Sequence, residues 1–138
     1  CIRDSYEPLY DDQKNIRIVQ EAMFSSTNEI MGTSYKSRID DPKYQFAGKT
    51  GTAQVKRISK RERELDLKTF QIPYEERDHA LYVAYGPYSN PRYAVSIIVE
   101  HGGSGSSAAA PMATQLFKLI IDRHQYRKKL PDYKEFSI

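Results

Sequence analysis

At 138 residues, with 39% apolar and 28% charged residues, the chain has the size of one ordinary soluble domain or a large part of one. A net charge of +3 with both signs interspersed makes no case for nucleic acid, and no nucleic-acid partner is expected. The lone Cys1 excludes an internal disulfide and a cysteine metal cage, and the longest apolar run, around 93–99, is too short to span a bilayer.

Ile16, Val19 and Met23 recur at helical spacing behind Asp12, which predicts an amphipathic helix over 12–25 with Asp12 as its N-cap. Ser25-Ser26-Thr27-Asn28 stops that helix, because Ser, Thr and Asn compete for helix hydrogen bonds. Gly32 and Asp40-Asp41-Pro42 mark a connecting loop. Residues 44–55 read as a strand containing Gly48 and Gly51, and glycine inside a strand signals that another backbone or a ligand comes close. Residues 56–79 carry seven basic and six acidic side chains and read as a solvated excursion, with a short helix around Arg61–Leu67.

Residues 80–86 and 92–100 are β-rich runs separated by Pro87, Ser89, Asn90 and Pro91, the pattern of a hairpin. Both runs are almost continuously apolar, which predicts strands covered on both faces. A flexible loop over His101–Ser107 leads to a helix that starts near Pro111. Met112, Leu116, Leu119 and Ile120 form its apolar stripe, with Phe117 and Ile121 broadening it, and basic residues from Arg123 to Lys129 suit its C-terminal end. The order helix, strand, long loop, hairpin, helix predicts an α+β piece: three antiparallel strands with helices on both faces. It occupies 1–130, and 131–138 form a tail. Such a sheet normally needs more chain, so an exposed sheet edge and face, and self-association through them, are expected.

Lys49-Thr50-Gly51 has the form of the third element of the serine acyl-transferase set, after S-x-x-K and S-x-N. Its chemistry suits a strand edge. An extended peptide or a β-lactam can pair with the edge as an added strand. Gly51 leaves room for the ligand backbone, and Thr50 and Thr52 offer hydroxyls to a terminal carboxylate. Lys49 supplies positive charge, and the Thr52 N–H can donate to an oxyanion. Alternation puts Lys49 and Gly51 on one face, Thr50 and Thr52 on the other. Lys49 and Thr52 are therefore the candidate catalytic groups, and Lys49, Thr50, Gly51 and Thr52 the candidate substrate-binding set. No metal or cofactor is expected.

Residues 43–55, Lys-Tyr-Gln-Phe-Ala-Gly-Lys-Thr-Gly-Thr-Ala-Gln-Val, resemble the third-motif strand of class B penicillin-binding proteins. Asp78-His79-Ala80-Leu81, Ala84-Tyr85-Gly86-Pro87-Tyr88 and Asn90-Pro91-Arg92-Tyr93-Ala94-Val95 resemble the next two strands of the elongation type, penicillin-binding protein 2. Gly32-Thr33-Ser34-Tyr35 is similar to a segment upstream of that motif, and Glu100-His101-Gly102-Gly103 with Ser107–Pro111 to the final loop and helix. The resemblance, over about residues 8–124, implies a serine β-lactamase/transpeptidase-like fold and a D,D-transpeptidase that crosslinks peptidoglycan stem peptides and takes β-lactams. It also implies a place on the periplasmic face of the bacterial inner membrane, an anchor outside this sequence, and partners in cell-wall elongation.

No S-x-x-K string occurs in the chain. Ser26-Thr27-Asn28 has the S-x-N form, but its Asn28 lies only 21 residues before Lys49, where a helix stop is the better reading. The nucleophile, its lysine and the second motif are expected upstream of Cys1, together with the rest of the transpeptidase domain, and the chain by itself is expected to be inactive. The alternative is a non-catalytic binding domain that keeps the transpeptidase subfold; a serine β-lactamase is a lesser rival. His79 reads as structural, and Glu100 with His101 lacks a third ligand for a metal.

Overall fold

The computed structural model describes residues 12–57, 65 and 67–129. The tail 131–138 and most of the helix expected around 61–67 lie outside these residues.

Helix α1 spans Gln13–Asn28, and the Asp12 carboxylate accepts the Lys14 N–H at its start (2.8 Å). The helix runs three residues beyond the expected stop at 25. The Thr27 hydroxyl and Asn28 amide bond the Met23 and Phe24 carbonyls inside it, and both also bond outside it. Residues that weaken an isolated helix end are held here by tertiary partners.

Among the described residues the sheet has three antiparallel strands in the order β1 (Ala47–Ala53), β2 (His79–Gly86), β3 (Tyr93–Val99), with β1 at an edge. The register pairs Thr50 with Tyr82 and Gly86 with Tyr93, which leaves a six-residue hairpin loop of residues 87–92. The Gly86–Pro87 peptide is cis. The charged segment before β2 contributes short 3₁₀ turns at Thr69–Gln71 and Tyr74–Glu76.

The end of the expected loop, from Gly105 to Ser107, belongs instead to a π-helical turn, Gly105–Ala109, that runs directly into α2 (Ala110–Lys128). The buried stripe of α2 is Ala113, Phe117 and Ile121, whereas Met112 and Leu119 are 49% and 68% exposed. This corrects the expected stripe. Ala109, Ala110 and Ala113 are fully buried against the sheet, and small side chains let the helix approach. Phe117 then stacks on Phe46 (centroids 4.9 Å), which meets Tyr82 edge-on.

The core therefore lies on the face of β2 that carries Ala80, Tyr82 and Ala84, under α2. β2 and β3 do not have equal cover on both sides. On the opposite face Val83 is 45% and Ile98 62% exposed, and α1 meets it at Tyr85, whose hydroxyl donates to the Gln20 carbonyl. Continuous apolar patterning in the hairpin is thus matched by burial on one face only.

Candidate functional site

Thr27 fixes the direction of the β1 backbone. The Gly48 N–H donates to the Thr27 hydroxyl oxygen (3.0 Å), and that hydroxyl lies 3.3 Å from the Gly48 carbonyl. Both backbone groups of Gly48 thus face away from β2. A strand's residues alternate, so the N–H and C=O groups of Thr50 and Thr52 face the same outer edge. The Thr50 carbonyl confirms it by accepting from the Lys49 ammonium at 2.8 Å.

By register, Lys49 and Gly51 share the face of Val83 and Leu81, while Thr50 and Thr52 share the face of Tyr82 and Ala80. The exposed Lys49 side chain nevertheless curls to the edge, where its Nζ also lies 3.4 Å from Thr50 Oγ1. The four sequence-predicted residues therefore meet along one edge as a cation, hydroxyls and outward backbone groups. Such an edge can hold an extended anionic ligand.

The two glycines of the strand differ. A Cβ on Gly48 would sit 2.5 Å from Tyr82 Cζ and closer still to its hydroxyl, so the packing demands glycine. A Cβ on Gly51 would lie 3.3 Å from Leu81 Cβ, a tight but yielding contact, so packing alone asks less of that position.

Two residues at the edge have no place in the three-motif pattern. Thr33 Oγ1 lies 3.2 Å from Thr50 Oγ1 and 3.2 Å from Ser26 Oγ. Behind this exposed row is a buried one. Tyr82 Oη lies 2.9 Å from Thr27 Oγ1 and 3.1 Å from Ser34 Oγ, and burial raises the Tyr82 phenol above its ordinary value. Ser26-Thr27-Asn28 thus splits its work. Thr27 and Asn28 clasp the helix end to β1, the amide of Asn28 donating to the Phe46 carbonyl at 2.9 Å, and Ser26 faces the exposed row. The signal available in the sequence was the Gly32-Thr33-Ser34 segment, but its role is set by contacts 7 and 17 residues distant.

His79 is structural. Its Nδ1 accepts the His101 N–H at 2.9 Å, and His101 Nδ1 donates to the Arg77 carbonyl at 3.1 Å. Among the described residues no three His, Cys, Asp or Glu side chains gather as a metal site.

The penicillin binding protein transpeptidase domain matches residues 11–118. The chain belongs to that family. Among curated relatives, the peptidoglycan D,D-transpeptidase MrdA of Haemophilus influenzae is 34% identical over 145 residues, covering 100% of this chain and 21% of the relative. MrdA of Acinetobacter baumannii is 44% identical over 106 residues, 75% of this chain and 14% of the relative. Among solved structures, Pseudomonas aeruginosa PBP2 in complex with WCK 5153 has a TM-score of 0.61 at 32% identity, covering 86% of this chain and 23% of that one. Helicobacter pylori PBP2 in complex with MreC has a TM-score of 0.57 at 29% identity, covering 84% and 18%. The family assignment and the α+β fold agree with the sequence reading. The chain spans only about a fifth of the length of the first of these relatives and carries part of a transpeptidase domain.

Proposed function

We propose that this chain is the substrate-binding wall of a peptidoglycan D,D-transpeptidase, and that a serine upstream of residue 1 is acylated by the stem peptide or by a β-lactam. The observation that carries the reading is the outer edge of β1, where the backbone groups of Thr50 and Thr52 face outward beside the Lys49 ammonium. The ligand's terminal carboxylate lies against Lys49, Thr50 and Thr52. Gly51 admits its backbone, and the Thr52 N–H donates to the oxyanion that forms as the upstream serine oxygen attacks the carbonyl. Lys49 lowers the energy of that developing negative charge. The chain by itself holds the ligand but has no S-x-x-K nucleophile, so it does not acylate.

The rest of the domain covers the face that leaves Val83 and Ile98 exposed; without it, copies of the fragment associate there. The protein works on the periplasmic face of the inner membrane. Among the described residues no helix is long and apolar enough to cross a membrane. The Helicobacter pylori relative seen with MreC supports a partner of the same cell-wall kind.

Labelled penicillin tests the reading on the full-length protein. Acylation of an upstream serine is expected, with a second-order rate constant that falls about tenfold to a hundredfold in Lys49→Gln, the range of a lost charge-assisted hydrogen bond. A full-length protein that takes no label overturns it and leaves a non-catalytic binding domain.

A further inference from the structure

The exposed hydroxyl row has a directional problem. An ammonium only donates, so Lys49 occupies a lone pair of Thr50 Oγ1 at 3.4 Å. The single Thr50 proton then has two destinations, Thr33 Oγ1 at 3.2 Å or a ligand at the edge. If Thr33 takes it, the ligand does not. Thr33 can instead donate to Thr50, and its own oxygen then accepts from Ser26 Oγ, 3.2 Å away. In that arrangement each hydroxyl gives its one proton forward, from Ser26 to Thr33 to Thr50, and the Thr50 proton is left for an acceptor outside the protein. Aligned donors polarise one another, which strengthens the last bond of the row.

The loop is built to hold Thr33 there. A Cβ on Gly32 would lie 2.5 Å from the Ser25 carbonyl oxygen, so the loop closes on the last turn of α1 only with glycine at that position. The Gly32 N–H donates to the Glu29 carbonyl (2.8 Å). Ser34, next in sequence, is buried and gives both its N–H and its hydroxyl proton to the Ser26 carbonyl, each at 3.0 Å. The backbone on both sides of Thr33 is therefore fixed to the helix that carries Ser26.

We propose that Thr33 is a positioning residue which, backed by Ser26, turns the Thr50 hydroxyl proton outward to a carboxylate on the β1 edge. The proposal rests on the substrate-binding role given to that edge above. Thr33 does not touch the ligand. It sets the state of the hydroxyl that does.

The test compares a penicillin with its methyl ester, which lacks the carboxylate, as acylating agents of the full-length protein. Thr33→Val keeps the shape and removes the donor; it is expected to slow acylation by the carboxylate form about three- to tenfold and to leave the ester's rate unchanged. Thr33→Ser restores the rate, and Ser26→Ala gives a smaller loss of the same selective kind. Wild-type rates with both agents in Thr33→Val overturn the proposal while the transpeptidase reading stands. So do equal losses with both agents, or a failure of Thr33→Ser to restore, since either marks a packing role. A wild-type protein that takes no label at all brings down the transpeptidase reading itself, and the positioning role with it.

Discussion

Two sets of hydroxyls lie side by side, one dry and one wet. Ser26 and Thr27, and Thr33 and Ser34, each send one neighbour outward and one inward, with Thr50 of β1 completing the outer set and Tyr82 of β2 the inner one. Inside, Thr27, Ser34 and Tyr82 are at most 1% exposed. Each has partners inside the protein: Thr27 takes the Gly48 N–H and meets the Tyr82 hydroxyl, and Ser34 gives its O–H to the Ser26 carbonyl. Outside, Ser26, Thr33 and Thr50 have the same chemistry with one unfilled direction. Burial makes a polar network rigid because an unmade bond there is costly, and exposure leaves the neighbouring network free to be turned by a ligand.

The comparison breaks first at Thr27. Thr27→Val keeps the shape but removes the buried partner of both outward backbone groups of Gly48, its N–H and its carbonyl. A loss of about 3 kcal/mol is expected in the unfolding free energy of the full-length protein, from the cost of leaving these two buried backbone groups unpaired. Thr27→Ser keeps the acceptor and should recover most of it. A near-neutral Thr27→Val in a urea titration would show that the buried node is not rigid.

Gly48→Ala comes next. Its Cβ would enter the Tyr82 ring, which α2 and Phe46 hold in place, and overpacking of this kind costs about 2 kcal/mol. Tyr82→Phe has a milder effect of about 1 kcal/mol, the net worth of a hydrogen-bonded hydroxyl. It also carries a pH signature. Burial raises the phenol in the folded state, so its stabilising effect is complete below the unfolded value of about 10 and is lost as pH rises through the folded value. Thermal melts from neutral to strongly alkaline pH should show wild type losing ground to Tyr82→Phe; parallel curves would contradict the assignment. The selective acylation loss of Thr33→Val belongs on the exposed side of the same comparison, with little expected change in melting temperature.

Much of this frame was legible in the sequence because it is local. Asp12 caps α1, the β2–β3 hairpin follows its turn residues, and Lys49-Thr50-Gly51 lies on a strand. What escaped depends on partners distant in the chain. Thr27 and Asn28 look like helix breakers until Gly48 and Phe46 are beside them. The α2 stripe was misplaced because hydrophobicity favours Met112 and Leu119, whereas the sheet selects the small Ala113, which permits close approach. The Gly32-Thr33-Ser34 segment is visible in the sequence but not its role: only the folding of Gly32 onto α1 brings Thr33 to Thr50. The one-sided burial of the hairpin, with Val83 and Ile98 exposed, is not reported by the apolar patterning of residues 80–100.

The smallest effect separates both networks from an ordinary surface cluster. Lys43 Nζ and the Tyr44 hydroxyl both donate to Asp122 Oδ1, at 2.8 and 2.6 Å, tying the approach to β1 to the far end of α2. Hydrogen bonds from Lys43 and then Tyr44 hold the Asp122 carboxyl below its usual range, and the Asp122 bond raises the Lys43 ammonium. With a depressed folded value, Asp122 contributes above the ordinary carboxylate value, and the contribution is lost as pH falls through the folded one. The carboxylate is exposed to solvent, so screening limits what the cluster can add. Asp122→Asn should therefore lower the melting temperature slightly at neutral pH, by about 2 °C or less, and the gap should close in strong acid and shrink in high salt. A drop as large as that of Thr27→Val would mean that this exposed cluster bears as much of the fold as the buried hydroxyls, and the distinction between dry and wet networks would fail.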